Sequence, residues 1–167
     1  MTQLGRSDDQ LAIELGTLGY PGFAYLAAGV RADPAEALLD ALDRDDLDAR
    51  VTEGLPWIPL AFADLDWDWL IPEAVQKERQ NRLGFIVALA INFASASTRQ
   101  KLSLVLGRLE QVKRTDCDTL CRESMPLAER VRRHKNRSSL AAHWNLDTGV
   151  TVGDLQHMST RFRHDDV

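Results

Sequence analysis

With 167 residues, 44% of them hydrophobic and 27% charged, the chain is about one domain long and apolar enough to build a core without staples. Its two cysteines exclude a disulfide framework and point to a reduced, cytoplasmic setting. The polar start MTQLGRSDDQ lacks a signal-peptide pattern, and the longest apolar run falls short of the roughly 20 residues a bilayer span needs, so a soluble intracellular protein is expected.

The net charge of −5 conceals a division. Acids crowd the first half, among them Asp40, Asp43, Asp45, Asp46, Asp48, Asp64, Asp66 and Asp68. Bases dominate residues 99–137, including Arg108, Lys113, Arg114, Arg130, Arg132, Arg133, Lys135 and Arg137. Such asymmetry fits an internal docking of halves, a head-to-tail dimer, a face kept for nucleic acid, or two solvated faces of opposite sign.

No stretch alternates apolar and polar residues over several positions, so an all-α chain is expected. Ser7 with Gln10 makes a capping box for a first helix carrying Leu11, Leu15 and Leu18 up to Gly19. Pro21-Gly22 turns the chain into a short second helix that Gly29 stops. A helix-turn-helix reading of this start fails chemically: residues 20–29 contain no Arg, Lys, Asn or Gln to reach base edges and phosphates.

Asp33-Pro34-Ala35-Glu36 is a strong helix start. The stretch PAEALLDALDRDDLDARVTEGLPWIPL reads as helix, acidic turn, helix; Asp45 or Asp46 would cap the second helix and Arg50 would bond to turn carboxylates. It resembles a single unit of a HEAT-type helical repeat, which implies an αα-hairpin; no second copy occurs at a period of 30 to 50 residues.

The segment over residues 55–96 organises the rest. It holds Trp57, Trp67 and Trp69, and its second half, QKERQNRLGFIVALAINFASA, is the longest helical pattern, apolar nearly all round. Asp64 would cap a short helix DLDWDWLI, and Pro72 would open the long one. Arg79, Asn81 and Arg82 at its front would bind a partner's carboxylates or a phosphate, or simply form a solvated helix start with a Glu78–Arg82 pair. Asp64, Asp66 and Asp68 would stabilise a helix N-terminus or, in an enzyme, ligate Mg²⁺.

Ser97 to Gln100 then forms another capping box, and Leu102, Val105, Leu106, Leu109 and Val112 make an amphipathic stripe with a basic outer face. A further helix starts near Ser124 and Pro126 and runs to about Asn136. Cys117 and Cys121, with His134 and His143, make a conceivable zinc set; two buried thiols on a helix face are the simpler reading. Ser138 caps a helix leading to a core Trp144, and Thr151 with Asp154 makes a last capping box.

Taken together, the strings ALDRDDLDARVTEGLPWIPLAF, DLDWDWL, RQNRLGFIVALA, DTLCRESMPLAER and HWNLDTGVT resemble uncharacterised bacterial proteins encoded beside toxins, as antitoxin or regulatory partners in toxin–antitoxin and phage-defence modules. The resemblance implies neutralisation of a toxin by direct binding, with or without operator binding. The expected architecture is a single-domain, all-α bundle of about seven to nine helices around a long buried central helix, spanning residues 1–158 and succeeded by a flexible tail at 159–167. The expected function is a non-enzymatic protein-interaction module without a cofactor. It would bind a protein partner, such as a basic toxin from an adjacent gene, through Asp64, Asp66, Trp67, Asp68, Trp69, Arg79, Asn81 and Arg82. The alternatives are a DNA-binding regulator, in which dimerisation doubles the charge of the basic region Arg99–Arg137, and a metal-dependent enzyme.

Overall fold

The computed structural model describes residues 7–29, 32–120 and 127–158. Their fold is all-α, with nine helices: α1 Asp8–Thr17, α2 Pro34–Leu42, α3 Ala49–Gly54, α4 Trp57–Ala61, α5 Trp67–Gln76, α6 Gln80–Ile91, α7 Ala96–Gln111, α8 Leu127–Asn136 and α9 Ser139–His143. Two 3₁₀ segments, Pro21–Leu26 and Val152–Met158, and a two-residue parallel ladder complete it. The ladder pairs β1 (Asp118–Thr119) with β2 (Leu146–Asp147), Asp118 opposite Leu146 and Thr119 opposite Asp147. Among the described residues no helix is long and apolar enough to cross a membrane.

Helix α6 is the hub. Every residue from Gln80 to Ala90 is buried, because α6 packs against α4, α5, α7 and α9 at once. A helix apolar nearly all round has no face to give to water and is stable only when surrounded. Trp144 packs onto α6 at Gly84, where an added Cβ would lie 2.3 Å from the ring; only glycine lets the indole settle on the helix backbone. Trp144 itself is 1% exposed, as its place in the sequence suggests.

The hub is shorter than its sequence pattern predicts. The run over residues 76–96 is broken at Glu78, whose φ is +60°. Glu78 N–H donates to Val75 O at 3.0 Å and Arg79 N–H to Ala74 O at 2.7 Å, which is the Schellman arrangement that ends a helix. Pro72 therefore lies inside α5, past its first turn, instead of opening the central helix. The longest helix is α7.

Several caps fall where local sequence puts them: Ser7 on α1, Asp33 on α2 and Ser138 on α9 each accept a backbone N–H, and Asp154 accepts from both the N–H and the hydroxyl of Thr151. Three shift by a few positions. Asp48, not Asp45 or Asp46, caps α3; Asp66, not Asp64, caps α5; Ser95 caps α7 ahead of the expected Ser97. Arg50 stacks over the Phe23 ring, 5.6 Å from its centroid. The expected αα-hairpin gives way to dispersed packing, with α2 against α5 and α1, and α3 against α1. At six residues, α3 is too short to zip along a partner helix. The expected helix start at Ser124, the residue Cys121 and the expected tail at 159–167 lie outside the described residues.

Candidate functional site

The turn between α4 and α5 builds a groove. After α4, Phe62 N–H donates to Ile58 O and Leu65 N–H to Phe62 O, which folds the chain back on itself. Trp67 is buried, and its indole N–H donates to Ala63 O at 3.0 Å, pinning that turn from below. With the start of α2 as the opposite wall, the result is a cleft of about 400 Å³ lined by Pro34, Ala35, Phe62 and Leu65 and rimmed by Asp33, Asp64 and Asp66. Trp69, 37% exposed, stands one turn further along α5.

The acidic rim is thinly neutralised. Asp33 accepts the Glu36 N–H and Asp66 the Trp69 N–H, each within its own helix cap. Asp64 meets Lys101 at 2.9 Å and Asp68 meets Arg108 at 2.9 Å, with the carboxylates 82% and 88% exposed. Exposed pairs of this kind contribute about 0–1 kcal/mol and exchange readily for other cations. Part of the charge asymmetry of the sequence is thus internal docking: the acidic segment lies against the basic face of α7.

The polar front of α6 is placed differently. Gln80, Asn81 and Arg82 are buried, not a solvated helix start. Arg82, 0% exposed, grips Asp118 with two N–H groups at 2.8 and 3.0 Å and donates to the carbonyls of Leu42 and Arg44. Asn81 holds the Arg114 backbone by both its carbonyl and its N–H, and Gln80 donates to Val112 O. Arg79 lies among Asp43, Asp45 and Asp118; burial works to lower its pKa, and these carboxylates outweigh it and raise it. Glu78 pairs with Arg114 at 3.3 Å instead of with Arg82. These side chains fasten residues 112–119 to the hub, so Asn81 and Arg82 have no surface to offer a partner. The recess beside them, about 90 Å³, has room for a few waters only.

Of the basic residues, Arg108, Lys113, Arg114 and Arg137 are each paired with a carboxylate. Arg132 and Lys135 are exposed on α8, the helix that also carries Arg130 and Arg133. Of the zinc set read from the sequence, Cys117 and His134 come together, beside Asp147, to which His134 bonds at 2.7 Å; His143 bonds to Glu110 instead, and Cys121 lies outside the described residues. Cys117 is exposed in the bend before β1, not buried on a helix face. Burial, with Asp147 alongside, pushes its thiol pKa up against the opposing pull of Arg137. Among the described residues Asp64, Asp66 and Asp68 do not gather at metal-ligand distance.

Sequence reasoning found the acidic rim and Trp69, and missed the cleft's far wall at Asp33–Ala35 and the roles of Asp118 and Asp147. Nothing local marks Asp118 as the partner of an arginine 36 positions earlier. Comparison with known proteins returns no match: no family model, no curated protein and no solved structure is significantly similar to the chain.

Proposed function

We propose that the chain is a protein-interaction module, antitoxin-like in its logic, that neutralises or regulates a protein partner by direct binding. The observation that supports this reading is the cleft between the start of α2 and the 62–66 turn, with an apolar floor and an aspartate rim. Its complement is a segment carrying Lys or Arg beside an apolar anchor, which would fill the floor with the anchor, replace Lys101 at the rim and compete with Arg108 for Asp68 beside it. Rim charge raises the on-rate and selects the partner's sign, while the floor and Trp69 supply the desolvated contacts from which most binding energy comes.

The test is light scattering of the purified chain with and without the product of the adjacent reading frame, at low and at high salt. A complex that weakens with salt and is lost in D64N/D66N/D68N supports the reading; asparagine at 66 keeps the α5 cap, so the fold is not at stake. Absence of a complex, or one indifferent to salt and to the triple change, overturns it.

A further inference from the structure

Among the described residues one group of side chains with metal-ligand chemistry converges, and the proposed cleft does not use it. Cys117 Sγ, a ring nitrogen of His134 and a carboxylate oxygen of Asp147 lie within 4.8 Å of one another. They come from three neighbouring elements, and two of them are fixed by the same ladder: Cys117 directly precedes β1, and Asp147 is the last residue of β2. His134 reaches in from α8 and bonds Asp147 through Nδ1 at 2.7 Å. We propose that Cys117, His134 and Asp147 form a binding site for a zinc-class divalent cation that clamps α8 to the β1–β2 ladder.

The donor set selects the cation. One thiolate, one imidazole and one carboxylate match the sulfur, nitrogen and oxygen ligands of zinc, whereas Mg²⁺ and Ca²⁺ require oxygen throughout. Three protein ligands leave the fourth tetrahedral position to water or to an outside ligand. The present arrangement already calls for positive charge at this spot. Arg137 supplies it, its Nη1 standing 3.5 Å from Asp147 Oδ1 and 4.0 Å from Cys117 Sγ. Arg137 lies just beyond the last residue of α8, so its guanidinium can swing aside as a cation enters. Binding converts the Cys117 thiol to a metal-bound thiolate and releases one proton to solvent; His134 binds as the neutral ring.

The site would strengthen the attachment of α8. The described residues of α8 include none that is buried, and the helix meets the body chiefly at β2. A cation bridging His134 to Cys117 and Asp147 would add coordinate bonds to the His134–Asp147 contact that already links α8 to β2.

The full chain, stripped with chelator, is titrated with Zn²⁺ and with Co²⁺. The expected result is saturation at one equivalent, a near-ultraviolet thiolate-to-cobalt band, and slower amide exchange in α8. C117S should abolish the band, and C117S or D147N should weaken Zn²⁺ binding by at least about 100-fold, more than loss of an outer-shell partner does. R137A should tighten binding several-fold by removing the competing cation. Far-UV circular dichroism checks that each variant folds. Lack of saturable binding overturns the proposal. So does binding that survives both C117S and D147N, or a band that persists in C117S and disappears in C121S. None of these outcomes bears on the cleft, so the two readings fail separately.

Discussion

Helices α6 and α8 both carry Arg and polar residues, and the fold treats them in opposite ways. In α6, Gln80, Asn81 and Arg82 are drawn inside and their hydrogen-bonding groups fasten other parts of the chain. In α8, Val131, Arg132, His134, Lys135 and Asn136 all face solvent, and among the described side chains His134, with Arg137 just past the helix end, reaches to Asp147. The difference lies in the apolar residues that each helix carries beside its polar ones. In α6 the polar front leads into LGFIVALAI, which must be surrounded, so the helix carries that front into the core. Helix α8 has no comparable apolar run, and the same residue types stay in water. A buried polar residue costs least when each of its groups is met; Arg82 comes closest to that condition while lying 0% exposed, whereas Gln80 donates to Val112 O and keeps its buried Oε1 without a partner.

The sharpest way to break the comparison is at Arg82. R82A takes the two-point donor from Asp118, which keeps the Thr119 N–H and Arg79 at 3.7 Å, and leaves the carbonyls of Leu42 and Arg44 without the Arg82 donor; it should cost about 3 kcal/mol of stability, read as a fall in the urea midpoint. Removing both charges in R82M/D118L should recover part of that loss, since a buried carboxylate stripped of its main partner is part of the penalty. The corresponding change at α8 is D147N, which removes the carboxylate charge that His134 and Arg137 meet. In the metal-free chain it should release α8 by about 1 kcal/mol, seen as faster amide exchange there, while exchange within α6 stays as it was. Equal effects of the two variants on global stability would erase the distinction between the helices.

Much of this architecture was legible in the sequence and some of it was not, and two helix ends show why. Helix α1 stops at Gly19 with φ +100°, Gly19 N–H bonding to Gly16 O and Tyr20 N–H to Leu15 O. Helix α5 stops with the same pair of bonds around Glu78. The first end is announced by its glycine. The second is occupied by a residue that rarely adopts positive φ, so the local pattern reads straight through it. The all-α class, the buried hub and the core Trp144 came from apolar periodicity, which survives ignorance of tertiary contacts. The burial of Arg82 did not, because its acceptors, Asp118 and the carbonyls of Leu42 and Arg44, come from elsewhere in the chain. At the candidate cleft the acids and Trp69 were visible as composition, but the concavity required α2 to lie beside the 62–66 turn, a matter of packing alone.

The smallest expected effect concerns the end of α7, midway between the two extremes of burial. There Glu110 bonds to His143 and lies 3.5 Å from Lys113. Burial works to raise the Glu110 pKa, but the His143 hydrogen bond and the His143 and Lys113 charges together outweigh it, so the carboxyl titrates below its ordinary 4.5. A carboxyl with a lowered folded-state pKa stabilises the fold above its unfolded value and loses that contribution as pH falls through the folded one. The pair should therefore add stability at neutral pH and forfeit it below about pH 4.5, between the ordinary value and the lower one held in the fold. Because both partners are largely open to solvent, the contribution should stay under about 1 kcal/mol. E110Q should leave the urea midpoint nearly unchanged once the pH is below the lowered folded-state pKa and lower it slightly at pH 7, flattening the acid limb of the stability profile. A neutral-pH loss as large as that of R82A would mean that the end of α7 belongs with the buried hub, and that exposure at this position is a poor guide to what holds the bundle together.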